Sequence, residues 1–203
     1  MTVSAAVTVS AAVEGSLDEA VVDRLIRHVG GHPGTVYGKN GKPFLRDRIR
    51  GYNNAAHHAP WVVLVDLDTE GECAPSVRDA WLRQPAPRMC FRVVVRAIEA
   101  WLMADAERLA AFIGVARSRV TADPEGLDHP KQTMVNLARL SRRRDVRRDM
   151  VPRQGSGRTE GSAYASRLIE YATDRWRPDV AVLRADSLRR AVACLQRLSS
   201  EDA

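Results

Sequence analysis

The chain has 203 residues, 45% of them apolar and 28% charged, with a formal charge of +6. That length and balance suit one sizeable core, or a domain with a smaller lobe. No apolar run approaches the roughly 20 residues of a membrane span, so no membrane association is expected. The N-terminal stretch MTVSAAVTVSAAVEG is apolar but has no basic leader, which argues against a secretory signal. It carries TVSAAV twice, at 2–7 and 8–13, and the first copy reads as an extension. Cys73, Cys90 and Cys194 show no CxxC or Cys/His metal spacing and fit a reducing, cytoplasmic setting.

In chain order, VTVSAAV at 7–13 is β-compatible, and a helical pattern of Leu17, Val21, Val22, Leu25, Ile26 and Val29 follows Gly15. GTVYG at 34–38 is a short strand between glycines, and Phe44, Leu45, Ile49 and Tyr52 mark a helix begun near Pro43. WVVLV at 61–65 is the strongest strand, a short helix covers Ser76 to Leu82, and MCFRVVV at 89–95 is the next strand. From about Arg96 the pattern predicts one long helix, RAIEAWLMADAERLAAFIGV. Beyond about 105 only helices are expected, interrupted by the Gly/Ser-rich loop RQGSGRTEGS at 153–162.

Strands alternating with helices predict an α/β fold, a Rossmann-like parallel sheet flanked by helices. The all-apolar 61–65 agrees, because parallel strands are covered on both faces. The predicted organisation is an α/β core over 1–104 and a helical C-terminal part over 105–203, packed into the same compact unit.

Ligands of open parallel sheets bind beyond the carboxyl ends of the strands. Glu14 and Gly15 follow the first strand, Asp66-Leu67-Asp68 the third, and Arg96 and Glu99 the fourth, with Asp18 four residues past Glu14. In extended backbone, Asp66 and Asp68 share a face. Such convergent carboxylates stay ionised together only if a cation neutralises them. All-oxygen ligation favours Mg²⁺ or Mn²⁺, one or two ions, over zinc. Helix capping by acids is the bland alternative for any one of them. Glu70 and Glu72 read as solvated, with Glu70 an outer-shell candidate, and His57 and His58 as surface residues on the opposite sheet edge.

Two familiar DxD arrangements fit poorly. A haloacid-dehalogenase-type phosphatase carries D-x-D-x-T after its first strand, whereas Glu70 stands at the Thr position and this DxD follows the third strand. A receiver domain has its acidic pair after strand one and a single Asp after strand three, the reverse of this chain.

The E-G exit of strand one with the D-x-D exit of strand three resembles the TOPRIM domain of topoisomerases, primases and OLD-type nucleases. VEGSLDE, VVLVDLD, VRAIEAWLMAD, DHPK and GSGRTEGSAY together resemble a TOPRIM-related bacterial family, domain of unknown function 4276, along nearly the whole chain. The resemblance implies that Glu14, Asp18, Asp66 and Asp68 bind metal and that Glu99 completes a second metal site. It further implies catalytic roles for Glu14 and Glu99, and for Lys131 in DHPK, which would assist the transition state or leaving group. Asp18 stands where Glu is usual, and Ala97 where Ser is usual.

Only Lys39, Lys42 and Lys131 among the 31 basic residues are lysines. An arginine bias follows a GC-rich coding sequence as readily as a polyanionic ligand, so position is more informative. Seven arginines lie between Arg139 and Arg153, and Arg142, Arg143, Arg144, Arg147 and Arg148, with Arg158 in the following loop, are candidate nucleic-acid contacts. The leading expectation is a Mg²⁺- or Mn²⁺-dependent nuclease acting on DNA or RNA. The alternatives are a nucleic-acid-binding subunit dependent on a separate ATPase, the chain having no G-x-x-x-x-G-K-[ST] loop, and an enzyme handling small phosphorylated molecules.

Overall fold

The computed structural model describes residues 6–68 and 73–200. The chain runs β1 (Thr8–Val13), α1 (Ser16–His28), β2 (His32–Gly38), α2 (Gly41–Ala55), β3 (Trp61–Asp66), α3 (Ala74–Trp81) and β4 (Met89–Val94). It continues as α4 (Ile98–Ala104), α5 (Ala106–Ile113), α6 (Pro130–Arg139), α7 (Arg144–Met150), α8 (Tyr164–Asp174), α9 (Pro178–Ala181) and α10 (Asp186–Ser200), with a 3₁₀ turn at Arg117–Arg119. The fold is the expected α/β class: the sheet is parallel, in the order β2-β1-β3-β4, and the helices flank it. Among the described residues no helix is long and apolar enough to cross a membrane.

Side-chain alternation along the strands divides the core in two. Val9, Ala11 and Val13 of β1, Val62 and Leu64 of β3, and Cys90 and Val94 of β4 face α1 and the C-terminal helices. Ala12, Trp61, Val63, Val65, Phe91 and Val93 face α2 and α3. The two-residue period carries Asp66 onto the same side as Val62 and Leu64. Because β1 has β2 on one side and β3 on the other, the chain reverses direction across the sheet between β1 and β3. A doubly wound sheet opens its ligand crevice at such a reversal. The β1–β3 ladder stops at Ala12 opposite Val63, while β3 and β4 stay paired to Asp66 opposite Val94.

Two elements differ from the sequence reading. β2 begins at His32, two residues before the expected 34, because parallel pairing of Thr8 with His32 and Val9 with Pro33 recruits residues of low strand propensity. The long helix expected from Arg96 is two helices broken at Asp105, whose side chain accepts the Arg108 N–H and caps α5. Asp105 is fully buried and holds Arg177 through its backbone N–H (3.1 Å), Nε (2.9 Å) and Nη2 (2.7 Å). A cap competes with helix continuation at this position, and the ion pair ties α5 to the start of α9.

The C-terminal helices share the larger core with the sheet. Trp101, Trp176, Leu168 and Tyr171 are all fully buried there, with α8 lying along α1. The indole N–H of Trp101 donates to Ser187 Oγ of α10 (2.8 Å), and that of Trp176 to the Trp101 carbonyl (3.2 Å). Trp101 is therefore a packing residue. Leu168→Ala is expected to destabilise the protein by about 2–5 kcal/mol. Urea titrations followed by tryptophan fluorescence and by circular dichroism should lose that stability in one shared transition; separate midpoints would show that sheet and helices unfold independently.

Candidate metal centre

The site is built where β1 and β3 part. With no ladder partner beyond Val63 on the β1 side, the Asp66 backbone N–H is taken by the side chain of Glu14, whose Oε1 accepts it at 2.8 Å. A carboxylate thus replaces a strand. Gly15 follows in extended backbone, and a Cβ there would lie 3.2 Å from Asp18 Oδ2. The E-G pair is explained by that approach: glycine leaves room for the Asp18 carboxyl, in the first turn of α1, to fold back toward the strand exits.

Asp18 and Glu99 are buried, and Asp66 Oδ1 is buried with no hydrogen-bond partner among the described residues. Burial is the largest influence on all four strand-exit carboxyls, and it raises their pKa values. Glu14 is pushed up to about 7 and Asp18 to about 6; Glu99 rises, and Asp66 rises well above the carboxylate range. After burial, Asp66 feels Asp18, Glu99, Glu14 and Asp68, each raising it further. The charges of acids from three separate segments therefore all reach a single side chain.

Asp68 departs from the expected geometry. Extended backbone ends at Asp66, and Asp68 adopts φ +59°, so it does not stack in line with Asp66. Its exposed carboxylate is instead held by Lys42 Nζ of α2 at 2.9 Å, with Arg96 donating to its carbonyl (3.3 Å). Left-handed backbone is tolerated by aspartate better than by most residues.

Glu99 sits in the first turn of α4 and accepts the Tyr164 hydroxyl at 3.0 Å. Lys131, at the start of α6, pairs with Glu160 at 3.0 Å and lies 5.6 Å from the Tyr164 ring centre. Its charge acts on Glu99, so the DHPK lysine is delivered to the Glu99 side of the site. A cavity of about 410 Å³ is lined by Asp68, Arg96, Lys131 and Thr159 among others. Sequence reasoning missed Lys42, Tyr164 and Glu160. Lys42 had a signal as one of three lysines in an arginine-rich chain, and Tyr164 closes the quoted string GSGRTEGSAY.

The arginine candidates split into two groups. Arg143 binds Asp145 (2.7 Å) and the Phe112 carbonyl (2.9 Å) and Arg147 binds the Ser141 carbonyl, tying α7 to its surroundings; Arg148 pairs with its neighbour Asp149 (2.8 Å) within α7 and stays exposed. Arg142, Arg144 and Arg158 are exposed. His57 and His58 are exposed before β3, away from the acids. Glu70 and Glu72 lie outside the described residues.

The donor set fits a hard divalent cation: it is all oxygen, its members raise one another, and its most buried oxygen lacks a partner. Among the described residues, no three acidic, His or Cys side chains are gathered closely enough to hold an ion as they stand. Glu14, Asp18, Asp66 and Glu99 are the residues that would have to close further to hold one.

No protein-family model and no curated protein matches the chain. A similar solved structure is the C-terminal region of the Burkholderia pseudomallei OLD protein, with a TM-score of 0.48 and 15% identity, covering 95% of this chain and 98% of that one.

A carboxyl with a higher pKa folded than unfolded binds an extra proton on folding between the two values. The penalty from these groups is absent below 4.5 for Glu14 and 3.8 for Asp18, and complete above about 7 and about 6. In EDTA the melting temperature is expected to fall from about pH 4 to about pH 7. Glu14→Gln, which keeps an acceptor for the Asp66 N–H, should flatten the fall; a slope equal to wild type would refute the assignment. Asp145, whose bond to Arg143 holds it down at about 2, titrates below this window.

Proposed function

We propose that the chain is a metal-dependent, TOPRIM-type nuclease that hydrolyses phosphodiester bonds of DNA or RNA. The observation that carries this reading is Asp66: an unpartnered buried carboxylate oxygen at the sheet's reversal point, reached by the charges of Glu14, Asp18, Asp68 and Glu99. Motifs from VEGSLDE to GSGRTEGSAY support the same reading. One or two Mg²⁺ or Mn²⁺ ions on these five acids would neutralise the phosphate and lower the pKa of the attacking water.

The chain's own side chains divide the remaining tasks. Glu14 fixes the β1 exit against the β3 exit through the Asp66 N–H, so the two ligand-bearing segments keep their spacing. Tyr164 donates to one oxygen of Glu99 and holds that carboxylate in place. Lys131 brings positive charge to the Glu99 edge, where it would stabilise charge on the phosphate or leaving oxygen. Its pairing with half-buried Glu160 lies near the surface and is of small stability, readily exchanged for a phosphate. Lys42 holds Asp68. The exposed Arg142, Arg144 and Arg158 would contact the backbone without reading sequence.

A second reading has the site completed by a partner, such as a separate ATPase. It is favoured by the absence of a closed metal cage among the described residues.

Purified protein with Mn²⁺ is expected to cleave plasmid or single-stranded DNA, or RNA, and Mn²⁺ should raise its melting temperature. Asp66→Ala should abolish both effects; cleavage as fast as wild type would overturn the proposal. A thermal shift with Mn²⁺ but no turnover would favour the partner-dependent reading. Tyr164→Phe keeps the ring and removes the bond to Glu99, and is expected to lower metal affinity or cleavage about 10–100-fold, measured by calorimetry and by initial rates.

A further inference from the structure

A second cavity lies beside the candidate metal centre. It has a volume of about 500 Å³ and opens along β4, the edge strand, between α3 on one face and α10 on the other. Its walls carry Arg78, Arg92, Arg96 and Arg190, and Phe91 and Val93 contribute to an apolar floor. Arg96 also lines the cavity that holds Asp68 and Lys131, so a single guanidinium stands at the junction of the two spaces.

The charges here are available to an anion. Arg92 donates to the Arg190 carbonyl at 2.7 Å and has no ion pair among the described residues. Among the described residues Arg78 and Arg190 pair with Asp79 (2.7 Å) and Asp186 (2.6 Å), with about half or more of each arginine side chain exposed. Exposed pairs of this kind contribute little, and arginine prefers the bidentate geometry of a phosphate. Of the acids in the lining, Glu125 is committed: it accepts the Asp186 N–H (2.8 Å), the Ser187 N–H (3.0 Å) and the Ser187 hydroxyl (2.5 Å), capping α10. The volume is within the range of small-ligand pockets and is ample for one nucleotide unit.

We propose that this cavity is a subsite for one unpaired nucleotide of the substrate strand, with its phosphate on the arginines and its base on the apolar floor. The strand would pass over Arg96 to place a neighbouring phosphodiester at the acidic centre. The inference rests on the nuclease reading for its direction along the strand. It adds that the substrate is single-stranded, or locally opened, where it leaves the centre.

The test uses a fluorescein-labelled single-stranded oligonucleotide of roughly ten nucleotides, titrated in EDTA by fluorescence anisotropy at several salt concentrations. Arg78→Ala/Arg190→Ala, with folding checked by circular dichroism, is expected to weaken binding about ten-fold. The slope of log affinity against log salt should fall by about 0.7 per arginine. A nucleoside 5′-monophosphate should compete more strongly than inorganic phosphate. Unchanged affinity and slope in the folded variant would overturn the subsite, and equal competition by phosphate would reduce it to an anion site and overturn the nucleotide assignment. Hydrolysis of bis(p-nitrophenyl) phosphate by the wild-type protein in Mn²⁺ reports on the metal centre separately. Its absence, with oligonucleotide binding still lost in the variant, would fail the nuclease reading and leave the subsite standing.

Discussion

Carboxylates gathered at the dry end of a sheet repel one another, and much of this molecule is arranged around that fact. Asp66 feels four other acids, each raising its pKa. Lysines enter only at the flanks, Lys42 beside Asp68 and Lys131 beside Glu160. The centre is left with more negative charge than its neighbours cancel. It can be relieved by protons, as the raised Glu14 and Asp18 show, or by a divalent ion.

The sheet topology makes that concentration structurally tolerable. At the reversal between β1 and β3 the backbone ladder ends early, which opens room for side chains but leaves an amide without its strand partner. Glu14 fills the gap, so a partly buried acid and an N–H without a strand partner satisfy each other. The C-terminal helices then close the α1 face: α8 brings Tyr164 to Glu99, while α10 covers β4 and helps form the arginine-lined cavity. Positive and negative surfaces consequently meet at Arg96, on the segment joining β4 to α4.

Much of this was legible in the sequence because it is written in local periods. WVVLV reads as a doubly covered strand, and the placement of Glu14, Asp66 and Glu99 follows once the strands are parallel. The features that escaped depend on contacts between distant segments. The break at Asp105 is decided by Arg177, 72 residues away, which no helical period reveals. The turn of Asp68 toward Lys42 depends on where extended backbone stops. Likewise, the arginine run reads as uniform, yet Arg143 and Arg147 are taken up by acids and carbonyls of the fold itself. Tyr164 was part of a recognisable string, but its role appears only when α8 is laid beside α4.

The bond from the Asp66 amide to Glu14 has a spectroscopic consequence. Within a strand, an amide proton reports on its backbone neighbour; this one reports on a side chain whose charge state changes near neutrality. Its chemical shift and its exchange with solvent deuterium should therefore follow protonation or ligation of the acidic cluster. A single backbone resonance in the middle of the sheet edge becomes a built-in indicator of what occupies the site.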